Sequence, residues 1–259
     1  MGDRTTERRQ RAARTAADEQ HDGPSQPRLP PEHRRRWLIW TMVAVVLVVG
    51  LLTGGPWVYA RLVASPPPEP LTVSTPAPTA TVDPLLPIDV NGAWTVGEGS
   101  EAGYRLGEVL TGDEVEVVGR TSTVTGSATV EGGMLTQAVV VVDTASITTD
   151  QSARDAYFRR ALDTTTFPQA TFEITAPVDV SAVGSSTSPL DVTTTGTLTF
   201  HGVSLPATVT LQVNRTGQGI QVAGQVPVVL ADFGLEAPDL GFVTVQPTGS
   251  IEMLLSLVR

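Results

Sequence analysis

Apolar and polar positions change rhythm along the chain. From Trp37 to Ala60 the run WLIWTMVAVVLVVGLLTGGPWVYA carries no charge. Read as a helix, these 24 residues reach about 36 Å, enough to cross a hydrocarbon layer of about 30 Å with some tilt. Trp37 and Trp40 lie at one end, Trp57 and Tyr59 at the other, as interfacial aromatics do. The pattern predicts a single transmembrane helix over 37–60. From Asp89 onward the period becomes two. EVEVVG (114–119), TFEIT (171–175) and LPATVTLQV (205–213) alternate apolar and polar residues, as half-buried strands do. Thr and Val, which suit a pleated surface, dominate them. Turn-forming clusters such as Gly132-Gly133 and Gly184-Ser185-Ser186 separate about eight to ten such runs. Residues 151–162 read as the one helix of this region. Asp150 is its expected N-cap, Ala153, Tyr157 and Ala161 its apolar stripe, and Arg159 and Arg160 the cations at its C-terminal end. Pro168 stops it soon after.

Two strands break the alternation. MLTQAVVVV (134–142) and IEMLLSLV (251–258) are apolar on nearly both faces. A strand of that kind needs an apolar neighbour on each side. The inside of a barrel wide enough for a ligand would supply one. A two-sheet sandwich with a solid core would serve as well. Periodicity alone leaves both architectures open.

The rest of the chain organises around these elements. Residues 1–36 hold scarcely any large apolar side chain before Leu29, so burial cannot offset their ordering entropy; a disordered tail is expected. Residues 61–88 are rich in Pro and Thr and read as a linker, whose run from 64 to 88 would reach up to about 70 Å when extended. Four segments follow: a cytoplasmic tail (1–36), a transmembrane helix (37–60), a linker (61–88) and a β domain (89–259).

Charge fixes the orientation. Every basic residue is arginine, and nine of the 17 lie in 1–36, with Arg34, Arg35 and Arg36 abutting the apolar run. Such an excess marks the cytoplasmic side, which sends the C-terminal domain out of the cell as part of a single-pass membrane protein. Val58, Tyr59 and Ala60 also offer the small-residue spacing of a signal-peptidase site, so cleavage after Ala60 is the competing outcome. The long segment before the apolar run favours a retained anchor. Beyond the run, eight Arg face 21 acids, a balance that repels phosphate backbones; no nucleic-acid partner is expected. With no cysteine, disulfides, thiolate metal sites and cysteine nucleophiles are excluded.

Ordered motifs in the β domain resemble the YceI-like family, the lipocalin-like polyisoprenoid-binding domain of bacterial envelopes. They are Trp94-x-Val96 with Ser100 and Tyr104; Val142-Asp143; Ser146-Ile147-Thr148-Thr149; Arg154-Asp155; Leu162; Phe167-Pro168-x-Ala170-Thr171-Phe172; Gly196-Thr197-Leu198-Thr199-Phe200-His201-Gly202-Val203; and Asp232-Phe233-Gly234. The resemblance covers about residues 92–258. It implies an all-β fold, an antiparallel lipocalin-like β-barrel with one short α-helix. Two departures stand out. Gly99 occupies the place of a His that often precedes the early Ser, and Thr248-Gly249-Ser250 replaces an acidic residue before the last strand. Most of these motifs read as structural: a strand end entering the helix, Arg154-Asp155 pairing with groups at the barrel rim, and a turn at Gly202 that a Cβ would obstruct.

No catalytic constellation is visible. The outer domain has one histidine, His201, in a turn motif, and a Ser-His-Asp hydrolase needs an imidazole base. Zinc or copper would need more ligands; a scattered carboxylate site for calcium stays open. No cofactor and no enzymatic activity are expected. The resemblance implies a binding protein whose partner is an isoprenoid lipid, either a polyprenyl species or an isoprenoid quinone. A quinone, with its neutral head, suits the acidic outer domain better than a pyrophosphate. Strand parity nominates Phe172, Ile174, Leu198, Phe200, Val209 and Leu211 as cavity-facing, with ordinary core packing as the alternative. The rival function is a solid-cored interaction module for envelope proteins.

Overall fold

The computed structural model describes residues 42–45, 67–73 and 87–259, except 111, 218, 240 and 242. The chain divides into two compact units, 1–59 and 60–259. In the first, only 42–45 is described, and it is helical and exposed. The expected tail and the remainder of the expected span lie outside the described residues. Among the described residues no helix is long and apolar enough to cross a membrane.

The second unit is built from the alternating runs. Its strands are β1 (Gly92–Val96), β2 (Glu101–Leu110), β3 (Asp113–Thr121), β4 (Val124–Glu131), β5 (Met134–Asp143), β6 (Gln169–Ile174), β7 (Val178–Asp179), β8 (Leu190–Phe200), β9 (Val203–Arg215), β10 (Ile220–Val229) and β11 (Val243–Val258). A single α-helix, α1 (Ser152–Ala161), links β5 to β6. Neighbouring strands pair antiparallel in the order β1-β4-β5-β6-β8-β9-β10-β11, and β11 pairs back onto β1 through Thr95↔Val258. Eight strands thus close a barrel; β2 pairs further along the same edge of β11 that β1 closes, and β3 extends the wall beyond β2. This settles the choice between barrel and sandwich.

Sequence features explain the joints. The wall bends between β1 and β2, where Ser100, only 2% exposed, stitches the break: its hydroxyl donates to Gly97 O (2.7 Å) and accepts from Ser256 N–H (2.9 Å). The β8–β9 hairpin turns at His201 and Gly202, both with positive φ (49° and 74°), as a tight hairpin requires. A Cβ at Gly202 would lie 2.5 Å from the Phe167 ring, so glycine serves both backbone and packing there.

The helix departs from expectation in two ways. Gln151, not Asp150, is the N-cap residue, and it makes no side-chain capping bond. Asp155 in the first turn reaches back instead, accepting from Thr149 N–H and Thr149 Oγ1–H at 2.8 Å each. The expected stripe of Ala153, Tyr157 and Ala161 is exposed; Asp155 and Leu162 are buried, and Phe158 packs on the core. The reason is the surface beneath. β2 presents Tyr104 and Glu108 to the helix, so its inner face carries Phe158 and Arg154.

Of the segment read as linker, residues 67–73 lie against the barrel wall, with Leu71 and Val73 buried.

Candidate functional site

Inward-facing positions line the barrel along its whole length, but side-chain size divides the interior. Toward the end formed by the β4–β5 and β9–β10 hairpins, the lining is mostly valine and alanine, and it leaves a cavity of about 100 Å³. Val192 and Val213 bound it on β8 and β9, Ile220 and Val222 on β10, Met253, Leu255 and Leu257 on β11, and Trp94 on β1. Among the described residues that line it, Ser127 alone carries a polar side chain, and none is charged. Toward the opposite end, Leu198, Leu205, Phe200, Phe233 and Leu235 fill the barrel, with Phe200 and Phe233 meeting edge to face at 5.5 Å.

The six residues nominated by parity divide between these regions. Phe172, Ile174 and Leu211 line the cavity. Leu198 and Val209 are buried in the filled part of the core, and Phe200 packs against it half-buried. Parity reports which side of the wall a residue faces, not where along the barrel space remains. Val192 and Val213 share the parity of nominated neighbours and were within reach of the same rule. Val90, Val180 and Val183 lie outside the wall strands, and no periodic signal marks them.

Those three valines belong to a stopper across the cavity end. Residues 87–91 and the short turn Ser181–Gly184 meet there through Ile88 N–H to Gly184 O (2.9 Å). Trp94 Nε1–H donates to Val90 O (2.8 Å), and Gly133 N–H to Asn91 Oδ1 (2.8 Å). Arg259 stacks over the Trp94 ring at 4.6 Å and donates to Asn91 O (2.7 Å) and to Asp89 O. Arg215 donates to Gly184 O (3.3 Å). The Asp89 carboxyl is held below its ordinary range by bonds from the Asn91 backbone and side-chain N–H groups. Two arginines thus lie at this rim, bonded to backbone carbonyls of the stopper.

The helix end is chemically different. Tyr104 stacks on Phe158 with ring centroids 4.6 Å apart, and burial pushes its phenol well up. Burial also raises the Glu108 carboxyl, against the pull of Arg154 at 3.7 Å. Arg154 pairs with Asp150 as well. His201 is spoken for in its turn: Nδ1 lies 2.9 Å from Phe233 O and the ring meets Phe167 edge-on at 5.0 Å. Among the described residues, no three His, Asp or Glu side chains come together to hold a metal. The arrangement can enclose hydrocarbon; it offers a bound molecule almost no polar contact.

A family model for the YceI-like domain matches residues 96–257. Among solved structures, a polyisoprenoid binding domain from Saccharophagus degradans, implicated in plant cell wall breakdown, is 21% identical; the match covers 64% of this chain and 98% of that one, with a TM-score of 0.52. BcnA of Burkholderia cenocepacia is 19% identical over 63% of this chain and 99% of its own, with a TM-score of 0.50. At these identities the likeness is one of fold. No curated protein matches the chain.

Proposed function

Since the chain belongs to the YceI-like domain family, we propose that its barrel is a carrier that encloses the tail of an isoprenoid lipid, a polyprenyl species or an isoprenoid quinone, on the outer side of the membrane. The observation that carries this reading is the cavity lining, apolar except for Ser127. A solid-cored interaction module has no use for such a space. The solved relative described as a polyisoprenoid binding domain has the same fold, which supports the ligand class. The lining supplies no charge, so any head group stays outside it.

Size refines the proposal. About 100 Å³ corresponds to roughly seven to ten water-sized sites, on the order of two isoprene units. A longer tail enters as interior side chains such as Leu211 and Met253 move aside. Burial relative to water would favour the tail by about 0.8 kcal/mol per methylene, but a lipid leaves a bilayer that is equally apolar. Transfer is therefore nearly balanced, and proximity to the membrane matters more than grip. The span at 37–60, oriented by Arg34, Arg35 and Arg36, provides that proximity and holds the barrel outside the cell.

Organic extraction of the purified full chain, followed by mass spectrometry, tests the carrier. A stoichiometric polyprenyl or quinone species is expected; a folded chain that stays empty in the presence of both lipids sinks the reading. Protease added to intact cells should remove the barrel, and a protected barrel would overturn the orientation.

A further inference from the structure

The outer wall holds a charged cluster that the cavity does not use. Glu252 lies on β11 between Ile251 and Met253, with parity opposite to the cavity-lining Met253 and Leu255, and so points out of the barrel. It is nevertheless only 1% exposed. Its Oε1 accepts from Arg105 Nε–H at 2.6 Å and Gln225 Nε2–H at 3.2 Å, and its Oε2 from Arg120 Nη2–H at 3.3 Å. A carboxylate on an outer wall is ordinarily solvated, and burying one is unfavourable unless it is paired and bonded. Here the chain's own residues 67–73 lie against this cluster.

That segment, Pro67-Pro68-Glu69-Pro70-Leu71-Thr72-Val73, is extended and forms no ladder. Arg105 Nη2–H donates to Pro68 O at 2.8 Å, and Arg120 donates to Glu69 O. Leu71 and Val73 are buried while Thr72 between them is exposed, the alternation expected of a strand-like segment laid on a surface. Val118, on the outward parity of β3, is buried as well. Proline favours an extended shape in advance and removes three of the segment's seven N–H groups, which tilts its main-chain handles toward carbonyls. Two guanidiniums that take two successive carbonyls suit such a chain.

We propose that the Arg105–Arg120–Glu252 cluster is a docking site for an extended, proline-rich main chain, that its occupant is this chain's own Pro67–Val73, and that docking sets the length of the tether. In sequence, residues 61–66 separate the run at 37–60 from the strap, a contour of at most about 20 Å. Residues 61–86 separate that run from Pro87, a contour of at most about 80 Å. This last step rests on the span at 37–60; the docking site itself does not.

The chain has no cysteine, so a fluorophore on the Thr72→Cys variant reports one position. In the full chain its nanosecond anisotropy should show restrained motion. Adding Leu71→Asp and Val73→Asp, which remove the strap's apolar anchors and leave the barrel wall intact, should cut the residual anisotropy several-fold with unchanged near-UV circular dichroism. Arg120→Ala should act in the same direction. Equal mobility of the label with and without the aspartates would overturn the docking site. A restrained label in a chain that light scattering shows to be dimeric would overturn the assignment of the occupant to the same chain. No lipid enters the measurement, so an empty barrel and a free strap are separable failures.

Discussion

The two ends of the barrel are built on the same strands with the same inward parity, yet one is hollow and the other is filled. Along β8, Val192 borders the cavity while Leu198 and Phe200 pack solidly six and eight residues further on. Along β9, Leu211 and Val213 line space while Leu205 packs at the far end. β-branched and small residues hold the wall open because they satisfy strand propensity without reaching the axis. At the far end Leu198, Phe200, Leu205 and Phe233 crowd together, whereas Phe172, Leu211 and Leu255 at the cavity end stand among valines and alanines. The difference teaches that hollowness here is a matter of side-chain volume along a strand, and that strand pairing leaves it undetermined. The polar chemistry also segregates: carbonyl-bound arginines edge the hollow end, whereas Glu108 on β2 pairs with Arg154 of the helix at the filled one.

The comparison breaks or sharpens under substitution. The largest effect belongs to the filled end. Phe233→Ala removes a ring that is 4% exposed and packed against Phe200, and should cost about 3–5 kcal/mol in urea unfolding. The hollow end should behave differently. Ala138→Leu adds volume beside open space, so its stability should stay within about 1 kcal/mol of the parent. Lipid recovered per mole of protein should fall several-fold. Equal destabilisation by both substitutions would mean that the two ends are packed alike.

The smallest effect concerns pH. Burial raises Glu108 in the folded barrel above its ordinary value of 4.5, so the folded state binds this proton more readily than the unfolded chain. The group's stabilising contribution is complete below that ordinary value and is lost as pH rises through the raised folded one. Glu108→Gln, which never ionises, should therefore gain on the parent in urea melts at pH 7 and lose that gain at pH 4. The opposite slope would show that Arg154, and not desolvation, governs the site.

Much of the barrel was legible in the sequence. EVEVVG and LPATVTLQV fall inside β3 and β9, TFEIT overruns β6 by Thr175 alone, and the doubly apolar 134–142 and 251–258 fall inside β5 and β11. The helix appeared within one residue of its expected limits, but on a different face. Ala153, Tyr157 and Ala161 mimic an apolar stripe, whereas the partners on β2 select Arg154 and Phe158. At the site, parity sent Phe172, Ile174 and Leu211 to the hollow and could not separate them from Leu198, Phe200 and Val209. The docked strap was hidden for a compositional reason: Pro67–Pro70 read as linker until the arginines that hold it are placed beside it. The one signal for it in the sequence is Glu252, the sole charged residue in the run 251–258.

The pairing of Thr95 with Val258 has a kinetic consequence. The ring is sealed by a contact 163 residues apart in sequence, so its closure cannot precede the emergence of β11. Contacts of such long separation make assembly slow, because the entropy of gathering the intervening chain is lost before the seam rewards it. A ribosome adding about 5–20 residues each second would release most of the wall before its seam is available. Maturation of this domain is thus deferred until β11 has emerged. Until then its oily strands travel as an open, unsealed sheet.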